Sequence, residues 1–375
     1  MMKSDVSITD VVIVGGGVIG CAVAYYLRKA GLDVTILERN EIGQQASSAA
    51  AGLLAPLGPL SGPGSFADLL LASCASFPAL VPELEAASDL RVGYERAGAL
   101  RVVRDPKRIA RLRKRFASWQ PLGLSVTWLD SDEIHRLEPA LAEEVCGAVY
   151  APEESQIDAI RLTQAFAQAD RNLGVQMYEH TNVVGLSTDG ARVTAVQTAS
   201  GKSFSCSDVV LATGAWMAHA GTWLNYTVPV RPVRGQMLAL RTEKPILYHI
   251  IFGEATYLFP RGETILVGAT KEEVGFVAQT TEQGLQSLRA IAYRLCPALG
   301  ACTMQRAWAG LRPGTPDSRP VLGPLPGWEN VLLAAGHNSL GIALSPITGQ
   351  AIAETIISGR VPEMIQPFSI DRFGL

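Results

Sequence analysis

The regular pattern of the chain begins with an uninterrupted run of β-branched residues at 11–14, and a group of glycines follows it at once. A mostly apolar segment covers about 18–30, and a second apolar run at 34–38 ends in an acid, Glu38. Runs without a polar member are typical of strands buried on both faces of a parallel sheet. The pattern therefore predicts a strand, a glycine turn, a helix and a second strand.

Later segments alternate between helical and strand periodicity. Pro78 and Pro82 are expected to kink or divide the first of the later helices, which are predicted at about 66–88, 106–119, 130–139, 159–173, 281–295 and 346–358. The predicted strands cover 98–104, 147–150, 181–186, 193–198, 203–206, a run from 208, 228–241, 246–252, 256–259, 264–269, 304–311 and 331–335.

Gly15, Gly17 and Gly20 form the pattern G-x-G-x-x-G between the first strand and the first helix. Gly15 is expected to allow a tight turn, Gly17 to let the backbone approach a pyrophosphate, and Gly20 to let helix and strand pack closely. The amides at the helix N-terminus favour phosphate, and Glu38 is placed to accept from both ribose hydroxyls. This context favours a dinucleotide site over an ordinary β–turn–helix unit, and the glycines argue against a membrane span.

The order of the elements predicts an α/β fold with two interleaved domains. The buried runs near 11, 208 and 331 belong to one Rossmann-like sheet, whereas the strands of 228–269 are separated by short turns, as in an antiparallel sheet. We therefore expect a discontinuous nucleotide-binding domain interleaved with an antiparallel-sheet α+β substrate domain. The nucleotide-binding domain covers 1–90, 148–222 and 308–375, and the substrate domain covers 91–147 and 223–307.

Composition narrows the possible partners. The 375 residues carry a formal net charge of −3 with no basic block, which disfavours nucleic acid. The five histidines and six cysteines show no metal-ligand spacing, so no metal site and a reduced, cytoplasmic location are expected. No basic segment precedes the first apolar run and no small-residue cleavage site follows it, so neither a signal peptide nor membrane insertion is expected.

Five motifs occur in a fixed order along the chain. They are the glycine motif with Glu38, the small-residue run SSAAAG at 47–52, LATGAW at 211–216, LRPGT at 311–315 and GHNSLG at 336–341. Together they resemble the D-amino-acid oxidase family of flavoproteins, and within it the glycine oxidases of thiamine biosynthesis. The resemblance covers nearly the whole chain. It implies FAD in the first domain, and non-covalent binding, because no histidine precedes 135 and no cysteine follows 302.

The resemblance also implies the residues that hold FAD. Glu38 is expected on the adenosine ribose, the 46–54 segment along the isoalloxazine, and Val183 or Val184 against the adenine. The full set of implied cofactor-binding residues is Gly15, Gly17, Val18, Ile19, Glu38, Arg39, Ser47, Ser48, Ala50, Gly52, Leu53, Val183, Val184, Thr213, Gly214, Trp216, Gly310, Arg312, His337, Asn338, Ser339, Leu340, Gly341 and Ile342.

The implied reaction is oxidation of glycine or a small amino acid by hydride transfer from the substrate α-carbon to the flavin. An imine results, which hydrolyses to an oxo acid and ammonia or an amine, and oxygen reoxidises the flavin to give hydrogen peroxide. Arg312 and Tyr257 are the implied catalytic residues, the arginine as a bidentate partner of the substrate carboxylate. A surface arginine beside a turn and an ordinary strand tyrosine are the alternatives. His337 is expected to be structural rather than a base.

Two departures from the glycine oxidase pattern leave the substrate open. Ser339 stands where those enzymes often carry an arginine, and Lys271 stands where they tend to carry methionine. Glycine, sarcosine, other N-substituted glycines and small D-amino acids all stay open. So do a dye- or quinone-linked dehydrogenase of sarcosine, a D-amino acid or proline, an NAD-dependent dehydrogenase, and a non-catalytic flavoprotein subunit. A homo-oligomer also stays open, because no interface pattern is visible.

Overall fold

The structure is a computed structural model that describes residues 6–253 and 255–374. Within these residues the α-helices are α1 Val18–Lys29, α2 Ala46–Ala49, α3 Ser65–Ser88, α4 Ile109–Trp119, α5 Ser131–Leu137, α6 Ala159–Asn172, α7 Met217–Thr222, α8 Glu282–Leu295 and α9 Gly341–Ser358. The strands are β1 Val6–Val14, β2 Val34–Leu37, β3 Leu53–Leu54, β4 Ala99–Val103, β5 Thr127–Leu129, β6 Gly147–Ala151, β7 Ser155–Gln156, β8 Gln176–Tyr178, β9 Val183–Asp189, β10 Arg192–Thr198, β11 Ser203–Leu211, β12 Arg231–Arg241, β13 Ile250–Gly253, β14 Thr256–Arg261, β15 Thr264–Gly268, β16 Thr303–Gly314, β17 Val321–Pro324 and β18 Val331–Ala335.

The first sheet has eight strands. Six are ordered β17-β18-β11-β1-β2-β8, while β10 also pairs with β11, and β9 pairs with β10. The strands from β18 to β8 run parallel. Val11 and Ile13 of β1 pack against the helices α1, α3, α6 and α9, whereas Val12 and Val14 belong to the core on the opposite face. This alternation explains why the run at 11–14 has no polar member. The pairing of β1 with β11, and of β11 with β18, confirms that the segments near 11, 208 and 331 share one sheet.

The second sheet also has eight strands, ordered β16-β12-β15-β14-β13-β4-β6-β5. Its neighbours pair antiparallel except for β13 and β4, which run parallel. Leu238 and Leu240 of β12 pack on the side of helices α5 and α8. Met237 and Ala239 project from the opposite face, where Ala51 of the first domain joins their cluster. The second sheet therefore turns one face to its own helices and the other to the nucleotide-binding part.

Two of the domain boundaries suggested by the sequence cut through strands of this second sheet. The boundary at 148 falls inside β6, and the boundary at 308 falls inside β16, although both strands pair within the second sheet along their length. Residues 1–5, 254 and 375 of the suggested division lie outside the described residues. The two-domain division itself stays a prediction, and sheet membership moves these two boundaries past Ala151 and Gly314.

The sequence predicts that the prolines kink or divide the helix at 66–88, and division is wrong, because α3 is one continuous helix of 24 residues containing both Pro78 and Pro82. Its length and composition would allow it to cross a membrane. However, Leu69, Leu70 and Phe77 are fully buried in the core beneath the first sheet. The packing of this face compensates for the hydrogen bonds that the prolines cannot make.

Two other elements are longer than the sequence pattern predicted. The separate runs at 203–206 and from 208 form one strand, β11, which pairs with β1 in a single register on both sides of Ser207. The last helix begins at Gly341 rather than near Pro346. Pro346 has no N–H for the carbonyl of Ile342, and the hydroxyl of Ser345 donates to that carbonyl instead, at 2.9 Å.

Candidate active site

A cavity of about 940 Å³ is lined by residues of both sheets. The first sheet and its connections contribute residues within 14–19, 37–55, 181–184, 212–223 and 334–342. The second sheet and its loops contribute Gly235, Met237, Phe252, Ala255, Tyr257, 269–271 and 310–313. The volume lies near the upper end of the roughly 300–1,000 Å³ usual for ligand sites.

The glycine turn at one end of the cavity has the geometry that its motif predicts. Gly15 has a φ of +112°, and a Cβ at this position would lie 2.5 Å from the carbonyl oxygen of Ala212. A Cβ on Gly20 would lie 1.9 Å from the carbonyl oxygen of Gly15. Both positions therefore exclude any side chain, and the predicted steric roles of Gly15 and Gly20 are confirmed.

Glu38 is fixed beside this turn by two backbone amides. The N–H of Gly16 donates to its Oε2 at 2.8 Å, and the N–H of Asn40 donates to its Oε1 at 2.9 Å. Each carboxylate oxygen accepts more than one hydrogen bond, so the group keeps acceptor capacity toward the cavity that it lines. This is the property that a pair of ribose hydroxyls requires.

The two serines of the small-residue segment differ in where they point. The hydroxyl of Ser47 accepts a hydrogen bond from the N–H of Val18 at 3.0 Å. It thereby satisfies one of the amides at the start of α1 that have no partner within the helix. Ser48 does not line the cavity, because the short helix α2 turns its hydroxyl back to the carbonyls of Gln44 and Gln45. The structure thus brings Ser47 to the site and leaves Ser48 outside it.

The backbone that follows α2 is held by the second sheet. The indole N–H of Trp308 donates to the carbonyl of Ala49 at 3.1 Å, and Arg261 donates to the carbonyl of Ala51 at 2.8 Å. A Cβ on Gly310 would lie 2.4 Å from the Cβ of Ala49, so glycine is required for this approach. The small-residue segment is therefore a fixed wall of the cavity rather than a flexible linker.

An aromatic stack covers another part of the wall. The guanidinium of Arg39 lies 3.7 Å from the ring centre of Trp216, and Trp216 stacks on Phe276 with ring centres 5.4 Å apart. Val183 and Val184, at the start of β9, also line the cavity. The side chain of Val183 is buried and that of Val184 is half exposed. These contacts agree with a wall for a large planar ligand.

Arg312 occupies the part of the cavity that belongs to the second sheet. Its Nη1 donates to the carbonyls of Thr270 at 3.0 Å and Arg234 at 3.3 Å. No carboxylate of the described residues lies within ion-pair distance of this guanidinium. Burial lowers the pKa of Arg312 from its usual value, but an arginine keeps its charge under such conditions. The site therefore presents a half-buried cation that has no carboxylate partner among the described residues.

Tyr257 lies next to this cation. Its hydroxyl donates to the sulfur of Met237 at 3.5 Å. Burial raises the pKa of Tyr257 to about 12, although the charge of Arg312 acts in the opposite direction. The phenol is therefore neutral in ordinary buffers and serves as a hydrogen-bond donor, not as a base.

The turn at 336–341 leads directly into the N-terminus of α9 and lines the cavity together with Ile342. His337 is buried, and its Nε2 shares a hydrogen bond of 3.0 Å with the hydroxyl of Thr348. Burial lowers the pKa of His337 to about 3. The imidazole is therefore neutral, as a structural role requires.

Apart from Ser48, every residue that the sequence suggested for the site lines this cavity. Sequence reasoning missed Gly235, Met237 and Phe252, which also line it. Gly235 carries a usable signal, because an isolated glycine inside a strand pattern often marks the close approach of another group. Met237 and Phe252 carry none, since apolar residues in strands are common everywhere.

The lining fits FAD by its donor and acceptor chemistry. Two helices, α1 and α9, begin at the cavity and favour the negative charge of a pyrophosphate or a reduced flavin. Glu38 supplies the acceptor for a ribose, and Gly15 and Gly310 mark places where only backbone fits. A cavity lined by this glycine turn and by an arginine that has no carboxylate partner among the described residues is typical of an oxidoreductase which uses a dinucleotide.

The chain belongs to the DAO family of FAD-dependent oxidoreductases, whose family model matches residues 10–355. The resemblance drawn from the five motifs is thereby confirmed, and FAD is the cofactor. The glycine oxidase of Geobacillus kaustophilus is 34% identical over 366 residues and is covered over 97% of both chains. The crystal structure of a glycine oxidase from the same organism superposes with a TM-score of 0.94 at 33% identity, covering 98% of this chain and 99% of that one.

A longer relative is more similar in sequence. The bifunctional protein ThiO/ThiG of Synechocystis is 40% identical over 376 residues, which cover 97% of this chain. The chain spans only 54% of the length of that relative. The likeness therefore concerns about half of the bifunctional protein.

Proposed function

We propose that the protein oxidises glycine or a small N-substituted glycine with FAD, giving an oxo acid, ammonia or an amine, and hydrogen peroxide. Arg312 carries this proposal, because a half-buried guanidinium in the cavity favours an anion and no protein carboxylate of the described chain supplies one. Its two hydrogen bonds to backbone carbonyls both come from Nη1, which leaves Nη2 and Nε for a substrate carboxylate. The named activity of the Geobacillus relative supports glycine as the parent substrate.

FAD would be held without a covalent bond by the glycine turn, Glu38, the 46–54 segment and the turn before α9. When bound, it supplies the acceptor for the hydride of the substrate α-carbon and passes the electrons to oxygen. The protein orients the substrate: Arg312 fixes the carboxylate, while Tyr257 and Met237 form the adjoining wall. Fixed orientation of this kind removes much of the entropic barrier to the reaction.

The substrate amine loses its proton to solvent rather than to the protein. His337 is neutral and hydrogen-bonded to Thr348, and Tyr257 holds its proton. The carboxylates that line the cavity, Glu38 and Glu41, belong to the nucleotide-binding part. His337, Tyr257 and these two carboxylates are therefore not suited to act as a general base near Arg312.

Aerobic turnover of glycine and sarcosine tests the proposal, with glyoxylate and peroxide as the measured products. Arg312→Gln should lower kcat/KM by roughly 100-fold, the effect of removing one partner of a buried charge pair. Arg241→Gln, an exposed position at the end of β12, is the matched control and should stay near the wild-type value. Full activity of the Arg312 variant would overturn the proposal. A flavin that amines reduce but air fails to reoxidise would instead indicate a quinone-linked dehydrogenase.

The sequence predicts a cytoplasmic location and allows a homo-oligomer. It also predicts that the protein does not insert into a membrane and does not bind nucleic acid or a metal. We propose all of these as predictions. Their tests are cell fractionation, metal analysis and the measured molecular mass in solution.

A further inference from the structure

We infer that the site is built for N-substituted glycines whose N-substituent carries a second anionic group, and that Lys271 contacts that group. The inference rests on the proposed function and names its substrate class. Iminodiacetate, in which two carboxymethyl groups share one nitrogen, is the simplest such compound.

The segment that follows β15 places Lys271 beside the guanidinium of Arg312. Nη1 of Arg312 donates to the carbonyl of Thr270 at 3.0 Å, and Lys271 follows Thr270 directly in the chain. Glu272, the next residue, exchanges both backbone hydrogen bonds with Arg234 of β12, which precedes Gly235. A Cβ on Gly235 would lie 2.2 Å from Nη2 of Arg312, so the guanidinium lies over this same position. Both cations therefore line one part of the cavity.

Lys271 has no carboxylate partner within the described part of the chain, although acids surround it in sequence. Glu272 is an ion-pair partner of buried Arg234 and accepts from Gln236, and Glu273 pairs with Arg231 at 2.9 Å. The side chain of Lys271 is exposed and lines the cavity. A second cation thus faces the site while both neighbouring acids are engaged elsewhere.

The two cations differ in a way that suits two different carboxylates. Arg312 is half-buried and held by two carbonyls, so it fixes the carboxylate of the glycine unit in one position. Lys271 is a flexible, hydrated point charge at the exposed edge, which suits a group whose position varies with the N-substituent. Ser339, also exposed and lining the cavity, adds a small polar group there without any charge.

Oxidation of such a substrate balances with the co-reactants already named. The C–H of one carboxymethyl group and the N–H of iminodiacetate leave as two electrons and two protons, which reduce oxygen to hydrogen peroxide. Water then adds to the C=N bond, and cleavage of the C–N bond gives glyoxylate and glycine.

The test compares iminodiacetate with N-(carbamoylmethyl)glycine. This isostere keeps the carboxylate of the glycine unit and has a neutral amide in place of the second carboxylate. The measured quantity is the ratio of their kcat/KM values, which cancels general damage to the enzyme. Lys271→Met should lower this ratio by roughly fivefold, as expected for loss of one partly exposed ion pair. Lys271→Arg should retain it, and higher salt should lower it in the wild type. Lys244→Met, an exposed lysine outside the cavity lining, is the matched control.

A binding measurement without turnover supports the kinetic one. Thiodiacetate carries two carboxylates on a sulfur and has no amine to oxidise, and (methylthio)acetate carries one. Lys271→Met should weaken binding of thiodiacetate to the FAD-loaded enzyme by a similar factor and change binding of (methylthio)acetate much less.

An unchanged ratio in Lys271→Met would overturn the inference, as would equal weakening of both thioethers, which would place Lys271 on the glycine carboxylate. If the enzyme oxidises glycine and the amide but not iminodiacetate, only this inference fails. If no amine reduces the flavin, the proposed function fails with it.

Discussion

The guanidinium of Arg312 lies directly over the backbone of Gly235, where a Cβ would approach Nη2 to 2.2 Å and Cζ to 2.4 Å. Arg312 and Gly235 belong to adjacent strands, β16 and β12, and project from the same face of the sheet. The missing side chain at 235 therefore makes the space in which the guanidinium of Arg312 lies.

Gly235→Ala should displace this guanidinium without unfolding the sheet, because the methyl group meets the end of a side chain rather than backbone. We expect kcat/KM for glycine to fall by roughly 10- to 100-fold, since an ångström of misplacement has effects of this order. The loss should come mainly from KM, and FAD content should stay at the wild-type level. Gly185→Ala, in a strand of the first sheet where a Cβ would make only an ordinary contact of 3.8 Å with Oε1 of Gln197, is the control. Unchanged KM in the 235 variant would show that Arg312 does not bind the carboxylate.

The dependence of activity on pH should follow the substrate and not the enzyme. Burial holds the pKa of His337 near 3 and that of Tyr257 near 12, so neither group changes its protonation state in between. The value of kcat/KM should therefore rise with pH until the amine of the substrate is neutral. The apparent pKa should move when glycine is replaced by a less basic N-substituted glycine. The account would be contradicted if all substrates showed the same apparent pKa and if this dependence on pH disappeared in Tyr257→Phe.

Asp170 of α6 should make the fold less stable as pH rises. Its carboxyl is fully buried, and neither oxygen has a hydrogen-bond partner in the described structure. Burial raises the pKa of Asp170 well above its usual value, so the folded state keeps a proton that the unfolded state releases above about pH 4. Asp170→Asn should accordingly raise the unfolding temperature more at pH 8 than at pH 5. The exposed control Asp189→Asn should show no such difference.

Loss of the glycine turn should remove the cofactor. At Gly15, a methyl group would meet the backbone carbonyl of Ala212 at 2.5 Å, and the φ of +112° disfavours any other residue. Gly15→Ala should therefore purify with little or no flavin, which absorbance after denaturation measures directly. Retention of a full complement of FAD would show that the turn is not its anchor.

Local features of the site were predictable from the sequence, whereas contacts between distant strands were not. Gly15, Gly20 and Glu38 follow one another in a single β–turn–helix–strand unit, so spacing alone predicts that they lie together at one turn. The contact between Arg312 and Gly235 depends on the register of two strands, and the sequence of neither strand predicts that register.

The exception within the motifs has a similar cause. Ser47 and Ser48 are equivalent by composition, and only the four-residue helix α2 directs one hydroxyl to the cavity and the other to its own backbone. The late start predicted for α9 reflects a local rule, the exclusion of proline from helix interiors, which the hydroxyl of Ser345 offsets.

The central claim is that a carboxylate held by Arg312 brings an amine to FAD. Anaerobic mixing of the FAD-loaded enzyme with glycine, sarcosine or iminodiacetate, followed by the loss of visible flavin absorbance, tests it most directly. We predict rapid bleaching in the wild type and in Arg241→Gln, and bleaching slowed by roughly 100-fold at equal substrate concentration in Arg312→Gln. A fully loaded flavin that stays oxidised with all these amines, or that bleaches equally fast without Arg312, would contradict the account.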